Sequence, residues 1–172
     1  MQIVEIVANV VIVGLLLGPV WTRNMPCYEE EELSEIAKKK LVNYPQPPEP
    51  LGEVAHDTGS SSSLDLCMKY VGQPVRNGPT NDRSLSPWRY VRKTMENHYP
   101  SSYIEAQCLC SGCIIIENGV HKLSHDYNSV PIPQSRVFLK RELCSEGHGY
   151  YLKPVSVEVV IGCTCATPRI FS

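Results

Sequence analysis

The chain has 172 residues, enough for one globular domain with appendages and too few for two ordinary domains. Its 16 lysines and arginines nearly balance its 18 acidic residues, so the charge gives no sign of binding to nucleic acid or to an anionic membrane surface. Eight cysteines beside only two phenylalanines and two tryptophans indicate a fold stabilised by disulfides, a composition that is unusual for a cytosolic enzyme.

Residues 1–22 are interpreted as a signal peptide. The stretch 6–17 is almost wholly apolar and is shorter than the roughly 20 residues that span a bilayer. Val20 and Thr22 suit the −3 and −1 positions of a cleavage site. Glu5 stands where a positive residue is usual, which leaves a signal anchor or a buried N-terminal helix as the alternative. Cleavage predicts a secreted, extracellular protein with no membrane insertion after the signal is removed.

Two segments should precede the main domain. Residues 23–42 are predicted to contain a short helix, because an acidic start and a basic end suit the helix dipole, and the apolar residues have helical spacing at Leu33, Ile36, Ala37 and Leu41. Residues 43–66 are rich in proline and serine and are predicted to be a flexible linker. Cys27 would then lie outside the folded body, so its loss should be milder than the loss of Cys108 or Cys163.

The main domain is expected at residues 67–168, followed by a tail at 169–172. Alternating apolar residues predict roughly four or five antiparallel strands and no further helix. Asn118 and Gly119 form the strongest short hairpin-turn signal in the chain. The predicted extended segments are 86–94, 103–108 with 113–116, 137–143 and 155–161.

The cysteine spacing predicts two disulfides. Cys163 and Cys165 are two residues apart in a strand and therefore point to one face. Cys108 and Cys113 are separated by an odd spacing, but a bulge or kink at Ser111 and Gly112 would bring both to the same side. We therefore pair Cys108 with Cys163 and Cys113 with Cys165. In the chain-entropy model, each disulfide would raise the free energy of unfolding by about 4 kcal/mol, although the effects of nested disulfides do not simply add.

A four-thiolate zinc site is the competing interpretation of these cysteines, since two closely spaced clusters could supply the ligands. The oxidising environment of a secreted protein and the ligand spacing argue against it, so no metal or other cofactor is expected. Other disulfide pairings stay open at this point.

Several motifs around this cysteine frame resemble the interleukin-17 cytokine family over residues 80–168. Within the family, Cys27-Tyr28 followed by acidic residues, the Cys-x-Cys-x-x-Cys form and the ending Pro168-Arg169 resemble the C type most; the B and D types share the second feature. The motifs that carry the resemblance, in chain order, are residues 81–90, His98-Tyr99-Pro100, Ile104-Glu105-Ala106, Cys108-x-Cys110-x-Gly112-Cys113, residues 128–132 and Gly162-Cys163-Thr164-Cys165.

The resemblance implies a mainly β, cystine-knot-like antiparallel sheet that forms a homodimer and binds interleukin-17 receptor ectodomains to trigger pro-inflammatory signalling. The disulfides between Cys108 and Cys163 and between Cys113 and Cys165 are also the ones that the family uses. A further family disulfide would fall on Cys144 and on Cys67 or Cys27. The resemblance leaves open the connectivity of four cysteines: Cys27, Cys67, Cys110 and Cys144.

Two surfaces are candidate receptor contacts. Trp88 and Arg89 lie on an early strand, where Trp88 could equally be a packed core residue or an interface anchor. Glu146 and His148 lie in a glycine-rich loop at residues 144–151, and loops on a rigid scaffold often carry binding residues.

The rival function is a secreted disulfide scaffold such as a protease inhibitor, which would act as a monomer through a rigid exposed loop. An enzyme is not expected, because no catalytic signature accompanies the histidines. The five histidines are scattered along the chain at His56, His98, His121, His125 and His148.

Overall fold

The computed structural model describes residues 26–50, 54–56, 63–74, 77–145 and 147–168. The predicted signal peptide and the tail at 169–172 lie outside these residues. The described elements in chain order are a 3-10 turn (Glu30–Glu32), α1 (Leu33–Leu41), β1 (Val54–His56), α2 (Ser63–Met68), α3 (Thr80–Arg83), β2 (Trp88–Thr94), β3 (His98–Tyr99), β4 (Ser102–Cys108), β5 (Gly112–Glu117), β6 (Val120–Leu143) and β7 (Tyr150–Ala166).

The strands form two sheets. In the first sheet, β2 lies between β1, which is parallel to it, and β4, which is antiparallel. In the second sheet, β6 pairs with β3, β5 and β7. The pairing of β6 with β7 is the longest and runs from Asn128 opposite Ala166 to Leu143 opposite Tyr150. The prediction of a mainly β, disulfide-stapled fold with a short N-terminal helix is confirmed.

Helix α1 packs on this long two-stranded ribbon. Leu33 and Ala37, one turn apart, are buried against Leu139 of β6 and Leu152 of β7. The helix begins after a run of glutamates and ends in three lysines, as predicted. Its position differs from the prediction: the helix belongs to the folded core rather than to a separate segment outside it.

Residues 43–66 contain regular structure where a flexible linker was predicted. Strand β1 pairs with Tyr90–Arg92 of β2, and α2 begins at Ser63. Between α1 and β1, the Gln46 side chain donates a hydrogen bond to the Val137 carbonyl at 3.2 Å, and Glu49 pairs with Arg92 at 3.1 Å. Contacts with the sheets thus hold residues 43–50 and 54–56, the described parts of the segment before α2.

The numbers of strands and helices in the main domain also differ from the prediction. The described part of residues 67–168 contains six strands, because β4 and β5 are separate and β3 was not predicted. It also contains α3 and the end of α2, so the prediction of no further helix is wrong. The hairpin turn is confirmed: Glu117 pairs with Val120, and Asn118 and Gly119 both have positive φ, as a type I′ turn requires.

Candidate functional site

Two disulfides join the ends of β4 and β5 to the end of β7. The structure pairs Cys108 with Cys163 and Cys113 with Cys165, with Cα separations of 5.8 and 6.1 Å. The predicted irregularity at Gly112 is present as a register shift, but the extra residues lie opposite it, in β6. Cys108 and Cys113 belong to strands of different sheets, and both bond to the end of β7.

The remaining cysteines join outlying segments to this core. Cys27 pairs with Cys144, which ties the residues before α1 to the loop between β6 and β7. Cys67 pairs with Cys110, which fastens α2 to the connection between β4 and β5. All eight cysteines of the chain are therefore oxidised, so the thiolates that a zinc site would need are consumed.

Trp88 is a packed residue in the single chain. Its side chain is 9% exposed and belongs to a buried cluster with Ala106 and Cys163. The ring stands edge-on to Tyr90, with centroids 6.4 Å apart, and lies against Gly162, where an added Cβ would be 3.4 Å from the ring. Its indole nitrogen is buried and has no hydrogen-bond partner among the described residues.

Arg89 lies on the opposite side of β2 and is half-buried. Its Nε donates a 2.8 Å hydrogen bond to the side-chain oxygen of Gln107 on β4. This bond fixes the guanidinium direction across the first sheet.

The loop at residues 144–149 is held at both ends by the N-terminal segment. Gly147 and Gly149 have φ values of 76° and 71°, which only glycine adopts without strain. Tyr28 exchanges two backbone hydrogen bonds with Tyr150, at 2.9 and 2.8 Å, immediately after the loop. His148 is exposed at the loop tip, whereas Glu146 lies outside the described residues. The loop therefore lies at the surface and is fixed to the N-terminal segment.

Charged side chains surround the base of this loop. The Tyr151 hydroxyl donates a hydrogen bond to Glu142. This bond and a second one from Lys140 lower the pKa of the Glu142 carboxyl. The bond to Glu142 also raises the pKa of the Tyr151 phenol. Arg141 lies over the Tyr150 ring, 4.6 Å from its centroid, and also pairs with Glu30. These contacts couple the loop base to the residues before α1.

The two predicted receptor-contact regions do not meet within one chain. Trp88 lies against Gly162, which pairs with Ile132 of β6. The loop begins after Leu143, about eleven residues further along the strand, a separation of about 36 Å at roughly 3.3 Å per residue. One chain therefore presents them as separate surfaces.

Strand β6 contains a bulge at residues 125–127 that no sequence pattern predicted. Gly112 pairs with Asn128, whereas the next residue, Cys113, pairs with Ser124, so three residues of β6 have no partner in β5. Alternation of apolar and polar residues could not reveal this feature, because a bulge interrupts that alternation.

Among the described residues, no cluster of three or more histidine, cysteine or acidic side chains could hold a metal ion. Within the same part of the chain, no helix combines the length and the apolar character needed to cross a membrane.

Comparisons with known proteins place this architecture in a family. A family model described as Interleukin-17 matches residues 84–167. Interleukin-17C is 38% identical in both Mus musculus, over 60% of this chain and 56% of the relative, and Homo sapiens, over 63% and 57%. The match thus spans little more than half of these two relatives, whereas interleukin-17F of Callithrix jacchus is 38% identical over 91% of this chain and 87% of its own length. The chain belongs to the interleukin-17 family of cytokines, and its resemblance to the C type agrees with these relatives.

Proposed function

We propose that the chain is secreted and acts as a homodimer that binds interleukin-17 receptor ectodomains and triggers pro-inflammatory signalling. The observation that carries the proposal is that the chain belongs to the interleukin-17 family. The exposed apolar surface on the ribbon of β6 and β7 also supports it. The rival interpretation, a monomeric protease inhibitor, has no supporting contact or motif of its own in the described residues.

The middle of the ribbon supports dimer formation. Residues 131–135 of β6 are all exposed, and they include side chains on both faces of the strand. Ile132 and, on β7, Ile161 are each 39% exposed in this region. A second copy would remove this apolar surface from water, and a twofold axis would place equivalent patches against each other. Because every cysteine pairs within its own chain, we propose a non-covalent dimer.

The separation of the candidate contacts also favours a dimer. A twofold arrangement could place the 144–149 loop of one copy near β2 of the other and create two equivalent grooves, one for each receptor copy. His148 at the loop tip and Arg89 on β2 are the side chains that we propose for receptor contact, together with Glu146.

The proposal is tested with the full chain expressed in a secretory host. The N-terminus of the secreted protein should lie between about Gly18 and Asn24. Surface plasmon resonance against soluble receptor-family ectodomains should detect binding, and His148→Ala and Arg89→Ala should each weaken it by about tenfold. Val42→Ala is the matched control, because Val42 is 79% exposed and lies at the end of α1. Absence of binding to every ectodomain, or inhibition of a protease by a monomer, would refute the proposal.

A further inference from the structure

Strand β6 has a stretch along one edge where no strand lies beside it. Asn128 pairs with Gly112 of β5 on one side and with Ala166 of β7 on the other, and Leu139 pairs with both β3 and β7 in the same way. Strands β5 and β3 therefore flank β6 on the side away from β7. Between Asn128 and Leu139, no described strand lies on that side, and we call this stretch the open edge of β6. Such an edge offers backbone groups to which another strand can add.

Three hydrogen bonds identify the backbone groups that point to the open edge. The Ser129 amide donates at 2.9 Å to Ser111, which precedes β5, and the Arg141 amide donates at 2.7 Å to a carbonyl just before β3. The Val137 carbonyl accepts its bond from the segment between α1 and β1. Because successive residues of a strand direct their backbone groups to alternate sides, the odd-numbered residues of β6 face the open edge.

This alternation is uninterrupted along the open edge. Residues 128–143 of β6 pair with β7, and the register shift between Ile132 and Pro133 comes from an extra residue in β7, Ile161. The backbone groups of residues 131, 133 and 135 therefore point to the open edge. Two of these residues are prolines, which have no N–H group to donate. From residue 131 to residue 135, the open edge thus offers three carbonyl acceptors but only one amide donor, that of Ser135.

A third proline has the same effect on the outer edge of β7. The Tyr150 amide and carbonyl bond to Tyr28 on the side away from β6, so the even-numbered residues that follow Tyr150 in β7 face that side. Pro154 therefore removes a donor from the outer edge of β7. All three prolines of these two strands leave the ladder between β6 and β7 intact and reduce only what its edges can donate.

We propose that a second copy associates with the ribbon through side chains, and that Pro131 and Pro133 prevent it from continuing the sheet by strand addition; this inference rests on the proposed homodimer. A second copy is the partner that meets this edge, because the apolar surface proposed for the dimer, Ile132 and Ile161, lies in the same stretch. An added strand needs donors and acceptors in turn, and the open edge lacks two successive donors. Packing through side chains allows a twofold axis to close the pair, whereas a sheet continued through both edges of the ribbon would grow without closing.

The test compares the full secreted chain with a double variant that carries Pro131→Ala and Pro133→Ala. Alanine restores both N–H groups and removes no bond between β6 and β7, so the double variant should fold, as its melting temperature would show. In sedimentation at increasing protein concentration, the wild type should stop at the dimer, whereas the double variant should form larger species. In those species, the amides restored at positions 131 and 133 should be protected from hydrogen exchange. Pro168→Ala is the matched control, because Pro168 is an exposed proline beyond the end of β7, and it should sediment like the wild type.

Several results would overturn the inference. One is sedimentation of the double variant that matches the wild type at every concentration. Another is the formation of larger species in which the amides at positions 131 and 133 exchange freely, since the association would then not use the open edge. Protection of the Ser135 amide when the wild type dimerises would show that a strand already adds there.

Two further measurements separate this inference from folding and from the proposed function. If the double variant does not fold, Pro133→Ala alone restores one donor and is measured in the same way. A wild-type chain that stays monomeric would refute the proposed homodimer. Association of the double variant but not of the wild type would then still support the role of the two prolines.

Discussion

At the scale of single residues, Trp88 shows how burial decides between two roles. An interface anchor must present its ring to the partner, but this ring is enclosed by Tyr90, Ala106 and Gly162. The energetic contribution expected from Trp88 is therefore to the stability of its own chain.

Replacing Trp88 with alanine should destabilise the fold by about 3–5 kcal/mol, because a large cavity would open between the sheets. Trp88→Phe should cost less, since it keeps most of the packing and removes an indole nitrogen that has no partner among the described residues. Chemical denaturation measures both changes. An unchanged midpoint in Trp88→Ala, combined with weaker receptor binding, would show that Trp88 is an anchor.

Two glycines of the 144–149 loop permit a matched comparison. Gly147→Ala and Gly149→Ala should each cost about 1–2 kcal/mol through the positive φ alone. Only Gly149→Ala also creates a clash, because its Cβ would lie 2.8 Å from the Tyr28 carbonyl oxygen, whereas nothing lies within 4 Å at Gly147. Hydrogen exchange of the Tyr28 and Tyr150 amides should therefore accelerate more in Gly149→Ala. Equal acceleration in both variants would argue against this close approach.

At the scale of elements, the docking of α1 changes the expected role of Cys27. Its disulfide with Cys144 encloses a longer loop than that of Cys108 with Cys163, with separations of 117 and 55 residues. The chain-entropy model gives about 5 and about 4 kcal/mol for these closures. The loss of Cys27 was predicted to be milder than the loss of Cys108 because Cys27 would lie outside the folded body. The packing of α1 into the core removes the reason for that prediction.

Cys27→Ser should therefore reduce the melting temperature and the secreted yield about as much as Cys108→Ser. Leu33→Ala should add an independent loss of about 2–5 kcal/mol, because Leu33 is fully buried against the ribbon. Differential scanning calorimetry of the secreted variants gives the comparison. A near-native melting temperature for Cys27→Ser would show that the N-terminal segment folds separately.

Short sequence patterns correctly predicted those elements that depend only on residues close together in the sequence. The alternating valines of β7 and the Asn118-Gly119 turn follow from strand pleating and from the φ values that these two residues tolerate. The docking of α1, the pairing of β1 and the bulge depend on contacts between residues that are distant in sequence, so no short pattern could locate them. Likewise, the burial of Trp88 depends on Gly162, more than seventy positions away.

At the scale of the whole molecule, the disulfide pattern predicts how the dimer behaves on gels. Sedimentation at micromolar concentration should show a dimer, whereas electrophoresis in denaturant without reductant should show a single-chain band. This difference is expected because all eight cysteines are joined within one chain. A covalent dimer band would mean that at least one pair, for example Cys27 with Cys144, forms between chains.

The span of the bond between Cys27 and Cys144 also has a consequence for biosynthesis. During translation Cys27 emerges first and meets four other cysteines before Cys144 is made. Any bond that Cys27 forms during that interval is incorrect and must later be exchanged, a reaction that takes seconds to hours depending on oxidant and isomerase. We therefore expect the export of this protein to depend on thiol–disulfide exchange catalysts in the secretory pathway.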